Sequence, residues 1–280
     1  MTYLIYNPLS ARNKGEKIKN KALKDLKDFD NIITLDGTKL VPNEFVKSLK
    51  PEDSIILIGG DGTLNIFANQ YMNFKVENDI YLYRGGSGND FLNDIEIKKE
   101  KYVKINQYLK NLPILEINGE KRYFINNVGF GLDGEVCVLA DEAKARGKKK
   151  VNYTSTALSL LLKKYNRCNA KVIVDGVEKV YKDVWIASAM NGRYCGGGMM
   201  LAPNQDRNSG YITCVVVYGQ SRLHTLLQFP SIFKGKHVKK TYMVDFIKCK
   251  NIEIEFNEPK GLQVDGEVYK GVTKYKAHIE

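Results

Sequence analysis

The sequence predicts a chain in two parts: an α/β domain over residues 1–113, then a mainly antiparallel β domain with helical insertions over residues 114–280. Two observations carry this expectation. Up to Pro113, short apolar runs alternate with stretches of helical spacing, the pattern of strand–helix units and a mostly parallel sheet. After Pro113, strand-like runs meet instead at Asn118-Gly119, Asp175-Gly176 and Asp265-Gly266, dipeptides that close two-residue hairpins.

The elements follow in order. Residues 3–7 (YLIYN) form a short apolar run and read as a buried strand. Residues 14–29 have helical spacing, with Ile18, Ala22, Leu23 and Leu26 on one face. Residues 32–35 (IITL) predict a second strand and residues 43–49 a second helix. The strongest buried strand of this half is SIILIGG, residues 54–60, followed by helical spacing over 63–71. Residues 80–86 (IYLYRGG) repeat the strand-then-glycine design, and a helix is expected from Asn89. In the second half, hairpins are expected around Asn118-Gly119 and Asp175-Gly176, strands over 211–219 and 251–256, and helices over 133–146, over 152–165 and after Ser221.

Composition narrows the function classes. The five cysteines are scattered and show no C-x-x-C pair, which argues against a disulfide framework or zinc site. No apolar run is long enough to span a bilayer, and the N-terminus lacks the basic-then-apolar order of a signal peptide. The expectation is a cytoplasmic chain with reduced thiols. A net charge of +11 attracts polyanions, whether nucleic acid, anionic membrane or phosphorylated ligand, or else marks a solvated lysine-rich surface. Neither a nucleic-acid motif nor an aromatic-basic stripe is present, so nucleic acid is not an expected partner.

The chemistry concentrates at Gly59-Gly60-Asp61-Gly62-Thr63, between a buried strand and a helix. Ligands of open α/β sheets bind at the carboxyl ends of strands. Glycines there let backbone N–H groups approach phosphate oxygens, and a helix N-terminus favours negative charge. A carboxylate amid phosphates needs a cation, so Asp61 is expected to hold Mg²⁺, directly or through water. Thr63 caps the helix or bonds to a phosphate. The bland reading is a tight turn with Asp61 as an N-cap. A second glycine turn, Gly86-Ser87-Gly88-Asn89-Asp90, ends the next strand, and together the two turns suggest two walls of one nucleotide cleft. Gly129-Phe130-Gly131-Leu132-Asp133-Gly134 satisfies G-x-G-x-x-G, but a hairpin precedes it rather than a parallel βαβ unit, so it does not read as a dinucleotide site.

In this order the motifs resemble the diacylglycerol kinase catalytic-domain family, bacterial soluble lipid kinases related to sphingosine kinases. NPLSARNKG (7–15) is similar to the family's opening loop, with Ala11 where glycine is usual. GGDGTLN matches closely, and GGSGNDF has Ser87 where threonine is usual. MNGRYCGGGMMLAPN (190–204) and GLQVDGE (261–267) are similar to two further motifs. The glycine-aspartate run alone is shared with NAD kinases and phosphofructokinases, and the later motifs favour lipid kinases. The resemblance implies an N-terminal nucleotide domain of the NAD kinase/phosphofructokinase type and a β-rich domain that supplies the lipid site and general base.

The resemblance also implies the site residues. The nucleotide set is Asn7, Arg12, Thr34, Gly59, Gly60, Asp61, Gly62, Thr63, Gly86, Ser87, Asn89 and Asp90. The catalytic set is Asp61, Asp265 and Glu267, with Glu267 the base that takes the proton of the lipid hydroxyl. Without the resemblance, Asp265-Gly266-Glu267 is an ordinary hairpin turn followed by a solvated strand residue. A structural Mg²⁺ site would fall on Asp206, Ser209 and Tyr211, although Ser209 stands where the family has aspartate and is a poor ligand for that ion. An ion-pair network would map onto Arg12, Asp90 and Glu116, with Asn93 where arginine is common.

His224, His237 and His278 have no ligand spacing, Trp185 reads as packing, and Leu158, Leu160, Leu161 and Leu162 read as core or as a lipid groove. The expected activity is transfer of the ATP γ-phosphate to a lipid hydroxyl, with Mg²⁺ and with diacylglycerol as first acceptor. The expected partner is lipid at an anionic membrane surface, with peripheral association, and homodimerisation is left open. The competing readings are phosphorylation of NAD or another small molecule, and a catalytically silent nucleotide or lipid sensor.

Overall fold

The structure, a computed structural model, describes residues 1–74, 76–86, 89–148, 151–162 and 165–280, with the backbone alone of Ala11, Arg12 and Met72. Ser87 and Gly88 lie outside the described residues. The chain divides into two compact units, Met1–Leu112 and Pro113–Glu280.

The first unit runs β1 (Thr2–Tyr6), α1 (Ser10–Asn13), α2 (Gly15–Asp25), β2 (Ile32–Asp36), α3 (Pro42–Ser48), β3 (Ser54–Gly59), α4 (Asp61–Tyr71), β4 (Asp79–Arg84), α5 (Asp90–Asp94), β5 (Tyr102–Lys104) and α6 (Asn106–Leu109). Its sheet has the order β2-β1-β3-β4-β5; β5 is antiparallel to β4 and the other pairings are parallel. β3 lies in the middle and buries every residue after Ser54, which is why SIILIG is an unbroken apolar run. One face packs Leu4, Ile56, Ile58 and Tyr83 against Ala22 and Leu26 from the α2 side. The helix expected over 14–29 stops at Asp25, where the Leu26 N–H turns back to the Ala22 carbonyl.

The second unit runs β6 (Ile114–Ile117), β7 (Glu120–Tyr123), β8 (Asn127–Gly131), α7 (Leu132–Ala145), α8 (Tyr153–Leu162), β9 (Cys168–Val174), β10 (Val177–Val184), β11 (Ile186–Met190), β12 (Ile212–Val217), α9 (Arg222–Gln228), β13 (Val244–Cys249), β14 (Asn251–Val264) and β15 (Glu267–His278). Every strand pairing in it is antiparallel. The three hairpin dipeptides close turns as expected: Asn118, Asp175 and Asp265 have φ of 52°, 45° and 47°, and the following glycines are also left-handed, the geometry of type I′ turns. β14 runs longer than the expected 251–256. Its first half pairs with β9 and its second with β8, with register shifts on either side of Lys260. A bulge there turns one strand into two pairing partners and absorbs Pro259. The core of this unit includes Phe130 and Phe256 stacked at 4.1 Å, with Tyr275 edge-on to Phe130.

The G-x-G-x-x-G run spans the end of β8 and the start of α7. β8 is antiparallel to both β11 and β14, so no dinucleotide unit surrounds it. Each glycine has a packing reason instead. A Cβ on Gly134 would stand 1.9 Å from the Gly261 carbonyl oxygen, so α7 lies backbone-to-backbone on β14. Gly131 has φ +91°. Gly129 makes room for a carboxyl considered below.

Candidate active site

In the first unit the two glycine turns are hydrogen-bonded to each other. The Gly59 carbonyl accepts from the Gly85 N–H at 2.8 Å and the Gly86 N–H at 3.0 Å. The first turn is closed so tightly that a Cβ on Gly59 would fall 2.0 Å from the Thr63 hydroxyl, whereas a Cβ on Gly62 would meet nothing within 4 Å. Gly59 is therefore demanded by the protein's own packing, and Gly62 leaves an open face at the first turn of α4. Asp61 accepts from the Asp90 N–H (Oδ2, 3.0 Å) and the Phe91 N–H (Oδ1, 2.9 Å). Its carboxylate thus satisfies the N-terminal donors of α5, and it joins the two turns. This adds a structural duty to the phosphate and metal role read from sequence.

Of the other expected nucleotide residues, Gly60, Gly86, Asn89 and Asp90 cluster on these turns. The Asn7 side chain accepts from the Leu9 N–H at 2.8 Å, and a Cβ on Gly15 would lie 2.0 Å from the Asn7 carbonyl. The loop from Asn7 to Gly15 is therefore folded on itself at the end of β1. Thr34 lies elsewhere on the sheet. It sits mid-strand on β2, paired with Leu4, with β1 between it and β3. Strands in a sheet are about 4.8 Å apart, so Thr34 does not share the edge formed by the glycine turns. Ser87 and the Arg12 side chain lie outside the described residues.

In the second unit, Asp265 is not a free acid–base group. Its Oδ2 accepts the Ile125 N–H at 2.6 Å, and its Oδ1 accepts the Asn126 and Asn127 N–H groups at 2.8 and 3.1 Å. The Asp265 N–H in turn donates to the Asn127 carbonyl at 3.1 Å. The residue assigned to catalysis from sequence is a clamp that pins the β14–β15 turn to the entry of β8. Glu267, the first residue of β15, is half exposed, and its Oε2 accepts from Arg122 Nη1 at 2.5 Å. The same Arg122 nitrogen donates to the Tyr269 hydroxyl at 2.8 Å. Arg122, mostly covered on β7, thereby fixes where Glu267 points. Sequence reasoning missed it, because nothing in EKRY distinguishes it from a solvated hairpin cation.

The residues expected at the second cation site are engaged with one another and with their neighbours. Among Asp206, Ser209 and Tyr211 only Asp206 offers a carboxylate, and its Oδ1 accepts the Asn208 N–H at 2.9 Å. The Ser209 hydroxyl donates to the Asp206 carbonyl at 2.6 Å, and the Tyr211 ring lies under the Lys248 ammonium. Among the described residues no group of three or more His, Cys, Asp or Glu is arranged to hold a metal. Of the expected ion-pair network, Glu116 pairs with Lys121 at 2.7 Å across the β6–β7 hairpin, and the Arg12 side chain lies outside the described residues.

The second unit holds an apolar cavity between α7, α8, the β11–β12 strands and the 222–244 segment. Its walls include Val136, Ala157, Leu161, Trp185, Phe229 and Met243. Trp185 is fully buried and stacks on Tyr165. Of the leucine cluster, Leu161 faces this cavity and Leu162 is exposed.

Asp133 brings a carboxyl to the same wall. Its Oδ2 accepts from Gln263 Nε2 at 2.8 Å and from Asn127 Nδ2 at 3.4 Å. A Cβ on Gly129 would lie 1.8 Å from that oxygen, so only glycine admits it. Burial pushes the Asp133 carboxyl above its ordinary 3.8, and the two amide donors only partly offset this. A carboxyl whose value is raised by folding favours the folded state below pH 3.8, and that advantage is lost as pH rises through the raised value. Urea unfolding between about pH 4 and about pH 8 is expected to show the Asp133→Asn variant gaining stability on the parent as pH rises. Parallel pH curves for the two proteins would contradict this. Sequence reasoning passed over Asp133 because its partner Gln263 lies 130 residues along the chain.

Comparisons with known proteins agree with this architecture. Residues 1–114 match the model of the diacylglycerol kinase catalytic domain, and residues 126–277 match that of the YegS C-terminal NAD kinase beta sandwich-like domain. The chain is 24% identical over 263 residues to a diacylglycerol kinase of Mycobacterium tuberculosis, covering 89% of this chain and 83% of the relative. It is 22% identical over 276 residues to a diacylglycerol kinase of Bacillus subtilis, covering 94% and 88%. A solved diacylglycerol kinase structure from Bacillus anthracis has the same fold, with a TM-score of 0.68 at 23% identity over 99% of this chain and 93% of that one.

Proposed function

The chain belongs to the diacylglycerol kinase catalytic-domain family, with a C-terminal domain of the YegS type, and from that premise we propose that it transfers the ATP γ-phosphate to a lipid hydroxyl, diacylglycerol giving phosphatidate. It is a kinase that phosphorylates a hydroxyl acceptor. The observation that carries the lipid acceptor is this cavity, walled by aliphatic and aromatic side chains with Asp133 among them. An apolar site with a few polar groups suits an acyl chain that carries a hydroxylated head. A soluble polyhydroxyl acceptor would leave such walls wet and its own hydroxyls unpaired.

In this reading the open face of Gly62 and the N-terminus of α4 receive the phosphates. Asp61 and Asp90 bring two carboxylates to the glycine turns. That donor set suits Mg²⁺, which binds one or two carboxylates together with substrate phosphates and keeps several waters. The ion would neutralise phosphate charge. Glu267 accepts the proton of the lipid hydroxyl as the oxygen's electron pair forms the new bond to the γ-phosphorus. The bond from that phosphorus to the bridging oxygen breaks, and ADP leaves with its electrons. Arg122 holds the Glu267 carboxylate in one orientation, a positioning role that reduces the entropy lost on reaching the reactive geometry.

The test is incubation of the purified protein with ATP, Mg²⁺ and a panel of dispersed diacylglycerol, ceramide, sphingosine and NAD, read by mass spectrometry of the products. A phosphorylated lipid with unchanged NAD is the expected result. Turnover of NAD alone would replace the lipid acceptor by a soluble one. Tight ATP binding with no product from any alcohol would mark a silent sensor.

A further inference from the structure

The 207–244 stretch contains six Lys and Arg residues and no Asp or Glu. Its centre is α9 and the two 3₁₀ turns that follow, Phe229–Lys234 and Lys236–Lys239. The inner side of this segment lines the apolar cavity through Thr225, Gln228, Phe229 and Ile232. Its outer side is apolar as well. Leu223 and Leu227, one helical turn apart, are 67% and 68% exposed. Tyr242 is 53% exposed and hydrogen-bonded to His224, which places it beside the same helix. α8 adds Leu162, 65% exposed, at the end that Arg222 ties to α9 through the Leu161 and Tyr165 carbonyls. Lys234, Lys236 and Lys239 are exposed at this segment and form no ion pair among the described residues.

Exposed leucines on a short helix are a cost in water unless something covers them. A bilayer supplies an apolar interior for leucines, a headgroup layer for tyrosine and phosphates for lysines, all on one surface. A second copy of this chain fits less well. A symmetric contact through the same patch would bring its lysines face to face, with no carboxylate in 207–244 to answer them. We propose that α9 and the following turns are the segment by which the protein docks on an anionic bilayer, with Leu223 and Leu227 entering the acyl layer and Lys234, Lys236 and Lys239 pairing with lipid phosphates. This deepens the lipid reading by naming the face on which the acceptor arrives. The inner side of the docked segment is then a wall of the cavity into which the acyl chain moves.

The test needs no turnover, so its failure is separable from failure of the kinase reading. Flotation of the full chain is measured with phosphatidylcholine vesicles and with vesicles containing about one-third phosphatidylglycerol. The parent protein is expected to float with the anionic vesicles and to be released as salt is raised from ~0.1 M to ~1 M. The Lys234→Glu, Lys236→Glu, Lys239→Glu triple variant is expected to bind roughly 100-fold more weakly. The Leu223→Glu, Leu227→Glu variant is expected to lose roughly 10- to 100-fold. Circular dichroism spectra and urea midpoints stay unchanged in both, which reports that they fold. Equal flotation of parent and variants, or equal binding to neutral and anionic vesicles, would overturn the proposal. So would a parent dimer, seen by light scattering, that the leucine variant dissociates without changing vesicle binding.

Discussion

Glu267→Gln is expected to lower kcat for lipid phosphorylation by about 10²- to 10⁴-fold with little change in KM for ATP. The amide is nearly the same shape, and only the proton acceptor is lost. Arg122 makes the prediction sharper, since its Nη1 donates to both Glu267 and Tyr269. If Arg122 acts through Glu267, Arg122→Ala slows the parent enzyme but has little further effect on the Glu267→Gln variant. Two residues working as one unit give such non-additive losses. Independent, multiplying losses would mean that Arg122 serves the fold or another ligand. Steady-state kinetics of the four proteins of the cycle decide the matter.

Asp265→Ala is expected to destabilise the C-terminal unit by about 3–5 kcal/mol, whatever the acceptor proves to be. The carboxylate answers three backbone N–H groups, of Ile125, Asn126 and Asn127. Truncation leaves those donors without their partner, at a left-handed φ of 47° that alanine tolerates less well than aspartate. Asp265→Asn tolerates the backbone geometry and keeps one acceptor oxygen, so it should fall between alanine and the parent. Urea unfolding followed by Trp185 fluorescence reads this directly, because that indole is fully buried in the same unit. An unchanged midpoint for Asp265→Ala would show that the clamp is unimportant. Asp265→Ala activity must be read against that stability loss, because the turn it pins begins β15 with Glu267.

These expectations also show where sequence was a sufficient guide and where it was not. The strand-then-glycine pattern and the three hairpin dipeptides were legible because each is a local requirement. A left-handed turn needs Asn, Asp or Gly within two positions, and a central strand needs an unbroken apolar run. Asp61 stood out in the sequence as a candidate phosphate and metal residue, but its bonds to the Asp90 and Phe91 N–H groups were not legible, since they depend on two turns meeting across the sheet. Asp265 and Arg122 were harder still. Their partners lie 140 and 145 residues away, and no periodicity encodes such a pairing. The mid-strand place of Thr34 on β2 was hidden for a related reason: only the strand register fixes how far a residue stands from the sheet edge. Asp133 was hidden within a glycine run that satisfies a nucleotide pattern, although its glycines serve helix–strand contact and carboxyl burial.

The central claim is that the acceptor is a lipid hydroxyl. The most direct measurement is transfer of label from γ-labelled ATP into the organic phase after reaction with dispersed diacylglycerol and Mg²⁺, beside a parallel reaction with NAD. Labelled phosphatidate that depends on Glu267, with no labelled NADP, is the expected result. Label confined to the aqueous phase, in NADP or in another soluble product, would contradict it.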